Sequence, residues 1–144
     1  MSAEAVRIAR DRYLSQNSMS LDSYTASEFP IYAWKWTVNL PNPGLLPLHD
    51  LHHVATGYGT GFLGEAEISA YELRAGCTSL MVIVLCVGAT LLGIFVAPRR
   101  ILRAWKQAKG ARSLYNTFIR YETLLEMSVA DLRKHLGIPR EGYQ

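Results

Sequence analysis

The feature that most restricts this chain is residues 77–97, 21 positions without a charged side chain, followed at once by Pro98-Arg99-Arg100. A run of that length has two outlets. As one helix it is long enough to cross a bilayer, which takes about 20 apolar residues. Alternatively it packs as buried helices, and Gly88 and Gly93 would then permit a break. Only 19% of the 144 residues are charged, against about 25% in an ordinary soluble domain. The apolar excess is concentrated in this one run. The length suits one domain with a real core and is too short for two.

Charge is distributed as unevenly as apolarity. No acidic residue lies between Glu72 and Glu122, whereas Arg74, Arg99, Arg100, Arg103, Lys106, Lys109, Arg112 and Arg120 all fall in that gap. Residues 99–107 read as an amphipathic helix, with Arg99, Arg103 and Lys106 on one side and Leu102 and Trp105 on another. Beside the uncharged run, these cations sit where anionic headgroups would meet them, so a membrane surface is an expected partner. Nucleic acid is not expected, because one short helix carries the basic patch and no recognition motif accompanies it. The two cysteines, Cys77 and Cys86, would point in opposite directions on a single helix, so no disulfide is expected and a reducing compartment is implied. Residues 1–14 carry Glu4, Arg7, Arg10, Asp11 and Arg12 and lack the apolar centre of a secretory signal.

Along the chain, residues 3–14 suit a short helix and residues 15–27 a loop. Tyr32, Trp34 and Trp36 form an aromatic run, in a strand or a helix turn, expected to pack against a core. Prolines 41, 43 and 47 with Gly44 exclude regular structure over 39–47, after which Pro47 suits the first turn of a helix over 47–56. Glycines 57, 59 and 61 break that helix, and a second is predicted over 62–76. Beyond Gly110, a long helix is predicted over 112–127. Ser128-x-x-Asp131 resembles a capping box opening a short helix that closes at Gly137. The organisation expected is an arm with an aromatic segment over 1–42, a metal-binding helical domain over 43–138 and a tail over 139–144.

The chemistry is concentrated in the helix over 47–56. At about 100° per residue, Asp50 lies about 100° and His53 about 40° from His49, so the three share one face. His52 falls at about −60°, on the edge of that arc. Two imidazoles one turn apart are a familiar grip on a metal ion. Glu65 stands twelve residues beyond His53, about 18 Å along an unbroken helix and out of reach. The glycines at 57–61 remove that objection by letting the chain reverse. Glu72 lies on Glu65's face of the second helix, suited to orienting a ligand from behind. Such a set fits Zn2+, Fe2+ or Mn2+, and ligand type alone does not choose. The opposing reading makes His49 and Asp50 helix-end polar groups, with His52 and His53 exposed. His49, His52 and His53 also satisfy one histidine box of membrane desaturases. Those di-iron sites need several boxes, and His135 is the sole remaining histidine.

His49-Asp50-x-x-His53, eleven further residues, then Glu65 resembles the signature of the Coq4 family of coenzyme Q (ubiquinone) biosynthesis proteins. Leu51, Gly57, Gly64-Glu65, Tyr71-Glu72 and Leu132-Arg133-x-x-Leu136-Gly137-Ile138 occur at the same family spacing, so the resemblance covers about 43–138. It implies an all-α helical bundle with a hydrophobic groove for a polyprenyl lipid and a metal site between two helices. The implied ligands are His49, Asp50, His53 and Glu65, with zinc the usual assignment. The implied activity is that of a carboxy-lyase, removing the C1 carboxylate of a polyprenylated hydroxybenzoate, alone or coupled to hydroxylation at that carbon. The implied alternative is a non-catalytic lipid-binding scaffold that gathers other quinone-biosynthesis proteins. Attachment would be peripheral, on the cytoplasmic face of a bacterial membrane or on an organellar inner membrane, with a homodimer also compatible. The resemblance also favours buried helices over a span for 77–97. Arg74, the basic residue nearest the acidic helix in sequence, is a candidate to hold a substrate carboxylate or a snorkelling arginine. His52 is a candidate proton carrier or an exposed bystander.

Overall fold

Helical spacing of apolar residues organises most of the chain in the computed structural model, which describes residues 4–24, 28–31, 36–39 and 44–144. The protein is an all-α bundle. In order, its helices are α1 (Val6–Gln16), α2 (Leu45–Thr56), α3 (Phe62–Ala75), α4 (Leu80–Val96), α5 (Pro98–Gln107), α6 (Tyr121–Glu126) and α7 (Val129–Leu136). Short 3-10 turns occupy Leu21–Tyr24 and Leu114–Asn116. Between α1 and α2, strands β1 (Glu28–Ile31) and β2 (Trp36–Asn39) pair antiparallel, with Phe29 opposite Val38. Trp36 thus lies on a strand; Tyr32 and Trp34 fall outside the described residues. The core gathers Leu51, Ile68, Tyr71, Ile101, Leu114 and Leu132 from both halves of the chain.

Local chemistry sets most boundaries. Helix α2 begins two residues before Pro47, which therefore sits in its first turn, where a missing N–H costs nothing. Gly57 ends it in the left-handed region at φ +83°, its N–H bonding back to the His53 carbonyl at 2.9 Å. At α7 the Ser128 hydroxyl accepts the Asp131 N–H at 3.0 Å and donates to the Asp131 carboxylate at 2.6 Å, and the helix closes at Gly137.

Three expectations are corrected. The long helix over 112–127 is replaced by a 3-10 turn and the short α6, because its backbone donors go elsewhere: Arg112 N–H to the Leu136 carbonyl at 2.8 Å, and Leu114 N–H to His52 Nε2 at 2.9 Å. The uncharged run forms one unbroken 17-residue helix from Leu80, not two, and among the described residues no helix is long and apolar enough to cross a membrane. Nor do the cysteines share one helix. Cys77 precedes α4, and both thiols are free.

Helix α4 buries only Cys86, Thr90 and Gly93, a narrow stripe at helical spacing. Gly93 permits close approach there: a Cβ would stand 2.5 Å from Ala66 Cβ and 2.9 Å from Ile101 Cδ1. The rest of α4 faces outward, with Leu80, Phe95 and Val96 more than half exposed.

Candidate metal centre

Two consecutive helices deliver the candidate ligands, and the glycine turn between them makes this feasible. Gly64 packs directly on the Gly59 backbone, where a Cβ would collide with the Gly59 carbonyl. The Gly61 carbonyl then accepts the Glu65 N–H at 2.9 Å, fixing the first turn of α3. Glu65 is thereby returned to the histidine face of α2, as the reversed-chain argument requires.

His49, His53 and Glu65 each contribute one ligand atom to a group lying within 4.8 Å of one another. His49 Nε2 and His53 Nε2 are 3.2 Å apart, and they stand 3.4 Å and 3.3 Å from the two Glu65 carboxylate oxygens. The outer ring nitrogens are both engaged. His53 Nδ1 donates to the Tyr58 carbonyl at 3.0 Å, and His49 Nδ1 donates to Glu72 Oε1 at 2.8 Å. A carbonyl only accepts, so Nδ1 of His53 carries its proton. Two Nε2 atoms and a carboxylate crowd one point, an arrangement that needs positive charge, either a proton on His49 or a cation between the three. A divalent cation meets this demand, and imidazoles braced from behind are the usual form of a metal ligand.

Glu72 is the hub of the bracing. Its Oε1 accepts from His49 Nδ1, from His52 Nδ1 at 2.7 Å and from the Tyr115 hydroxyl at 2.8 Å, while the Cys86 thiol donates to Oε2 at 3.4 Å. His52 is not an exposed bystander. It is fully buried between Glu72 and the Leu114 N–H, a donor that fixes Nε2 as the acceptor. Asp50 is buried beside this group and is not one of the three that converge; the Tyr13 hydroxyl points to it at 3.4 Å. Arg74 is exposed, its guanidinium over the Trp105 ring at 5.0 Å in a cation–π contact, and it is not among the three residues that converge.

Burial opposes charge on each of these groups, and three of them are charged regardless. Burial would raise Glu65, but hydrogen bonds from His49 and His53 bring it to about 2. It would raise Glu72 too, yet His49 and His52 hold that carboxyl well below its usual range. For His49, burial is outweighed by Glu72 and Glu65, and the imidazole stays protonated well above its usual 6.5. At His52 burial prevails over Glu72 and the pKa is lowered, as befits a neutral ring accepting a backbone N–H. The cluster therefore holds a cation on His49 between two anions, the same demand that the ligand geometry makes.

Residues that spacing did not single out complete the surroundings. Tyr13, Tyr58, Cys86 and Tyr115 all touch His53, Asp50 or Glu72. The Tyr58 carbonyl belongs to the glycine turn, which was a usable signal; the other three arrive from distant segments with no local mark.

Two imidazoles and a carboxylate converging from adjacent helices define, in an all-α bundle, a candidate divalent-metal protein. The sequence profile described as coenzyme Q (ubiquinone) biosynthesis protein Coq4 matches residues 47–141, the greater part of the chain. The chain belongs to that family, which places it in ubiquinone biosynthesis. No curated protein and no solved structure matches it.

Proposed function

We propose that the chain is a metal-dependent carboxy-lyase removing the C1 carboxylate from a polyprenylated hydroxybenzoate in ubiquinone biosynthesis. The observation that carries the reading is the convergence of His49 Nε2, His53 Nε2 and the Glu65 carboxylate, with both Nδ1 atoms held from behind. Three converging protein ligands leave coordination open to a substrate, as catalytic sites do, whereas structural sites are closed by four. Glu65 is 40% exposed on its side chain and His49 18%, so the site opens toward solvent on their side. Zinc is the metal proposed, with Fe2+ and Mn2+ also suited to these ligands.

Loss of CO2 leaves the electron pair of the broken bond on C1, where it takes up a proton in place of the carboxylate. A divalent ion held by His49, His53 and Glu65 would supply Lewis acidity toward that charge. The protein's part is placement: Glu72 and the Tyr58 carbonyl fix both imidazoles, and the Gly59–Gly64 contact fixes Glu65. The outward apolar face of α4, with the cations of α5 beside it, supports attachment to the lipid phase where a prenylated substrate resides. That face also favours the scaffold reading, since it would serve a protein partner equally.

A strain depending on this protein tests the reading. With His49→Ala, the carboxylated prenyl intermediate should accumulate alone. Several intermediates rising together with loss of partner proteins would establish the scaffold, and unchanged quinone would sink both.

A further inference from the structure

Helix α1 lies outside the segment matched by the family profile, and its C-terminal end reaches the metal centre by two separate routes. Along the first, the Tyr13 ring stacks on His53 with centroids 5.5 Å apart and planes inclined by 25°, and its hydroxyl faces Asp50 Oδ1. Along the second, the Asn17 side chain accepts from the Thr60 hydroxyl while its Nδ2 donates to the Tyr13 carbonyl at 2.7 Å. Thr60 stands between Gly59 and Gly61, the two residues on which Gly64 packs and from which Glu65 is set.

We infer that α1 is a wall of the metal centre, in which Tyr13 is a positioning residue for His53 and Asn17 for the loop that delivers Glu65. The inference rests on the metal reading above. His53 is held at Nδ1 by one hydrogen bond to the glycine-rich turn, which resists turning of the ring about Cβ–Cγ. The stacked tyrosine adds a second restraint on that turn from the ring face, and with it on the direction of Nε2. Asn17 acts on the other ligand: a loop of glycines has the most backbone freedom to lose, and one side-chain tether at its middle removes much of it. The helix can bear this load because its other end is anchored. Val6 N–H donates to the Met127 carbonyl and Val129 N–H to the Glu4 carbonyl, both at 2.8 Å, and Arg10 donates to the Tyr121 hydroxyl at 3.2 Å. A mere cover would need apolar contact only; here both polar ends of α1's last turn are spent on the ligand-bearing segments.

The test is Zn2+ affinity by competition with a chromophoric chelator, together with the visible absorption of the Co2+ form. Tyr13→Ala and Asn17→Ala should each weaken Zn2+ by about 10–100-fold, the range for removing a support behind a ligand, and shift the Co2+ bands. Tyr13→Phe keeps the stack and should stay within a few-fold of the parent. Arg12→Ala removes only an exposed pair with Glu4, which lies just before the helix, and should change neither. Because binding coupling is reciprocal, Zn2+ should also slow amide exchange over residues 13–17 of the unmutated protein. Parent-like affinity and spectra in both alanine variants, or exchange at 13–17 indifferent to Zn2+, would overturn the inference alone. A parent protein that takes up no metal would overturn it together with the metal centre.

Discussion

Helices α3 and α4 follow one another in the chain and treat water in opposite ways. Helix α3 buries Glu67, Ser69 and Glu72, while α4 turns Leu80, Val84, Leu91, Phe95 and Val96 outward. Buried carboxylates are tolerable only with partners, and both have them. Glu72 receives His49, His52 and Tyr115, and Glu67 receives Arg100 through two bonds of 2.9 Å and 2.7 Å. Each partner fixes a direction, so the polar interior is a set of defined geometries. The α4 face carries no such directions. A contiguous apolar surface calls for apolar surroundings of almost any shape, which is what a lipid phase offers.

The sharpest way to break this contrast is to remove ligands from the ordered half. His53→Ala and Glu65→Ala should each abolish stoichiometric metal binding, read by metal analysis, whereas His135→Ala, at a ring that meets the Thr117 hydroxyl and is not one of the converging three, should retain it. A full equivalent of metal on the Glu65 variant would end the claim that the glycine turn builds the site. Proton competition has a definite sign. His49 is held protonated above 6.5, so a metal must displace that proton below the raised pKa and need not above it. Apparent affinity should climb from mildly acidic to mildly alkaline pH, and His49→Ala should flatten whatever binding remains.

A smaller effect is expected on the apolar half. The protein should float with liposomes, more strongly with anionic lipid. Replacing Arg99, Arg103 and Lys106 with glutamine should weaken binding by about a hundredfold at most, at ~1 kcal/mol per cation near the surface. Arg100 is left out of that set because its partner Glu67 is buried and would be stranded. Salt should reduce flotation only in part, since contact through Leu91 and Phe95 persists. Absence of flotation on any lipid would remove the membrane from the reading.

What could be read in advance follows the same division. His49, His53 and Glu65 were legible because one helical turn and one glycine turn are local devices. The outward face of α4 was foreshadowed by an uncharged run beside a cluster of arginines, although length alone could not separate a span from a surface helix. Tyr13, Cys86 and Tyr115 were illegible, since a residue tens of positions away acquires its role only from packing. The same holds for the helix expected over 112–127. Nothing in that segment announces that His52, from α2, will take the Leu114 N–H and end helical bonding there.

The smallest effects come from two glycines on α4 that sample its two faces. At Gly93 an added methyl meets Ala66 at 2.5 Å and Ile101 at 2.9 Å, so Gly93→Ala should destabilise by about 1–3 kcal/mol through overpacking. At Gly88 a Cβ meets nothing within 4 Å, and the same substitution should stabilise by about 0.5–1 kcal/mol, because alanine loses less backbone entropy in a helix. Denaturant titration of the two variants reads both signs. Opposite signs would establish that α4 has one packed side and one open side in the isolated protein. Destabilisation by Gly88→Ala, strongest at high protein concentration, would mean that the outer face is already covered by a second copy of the chain. The apolar surface would then be a dimer interface in solution, and the anionic-lipid dependence of flotation would have to come from the α5 cations alone.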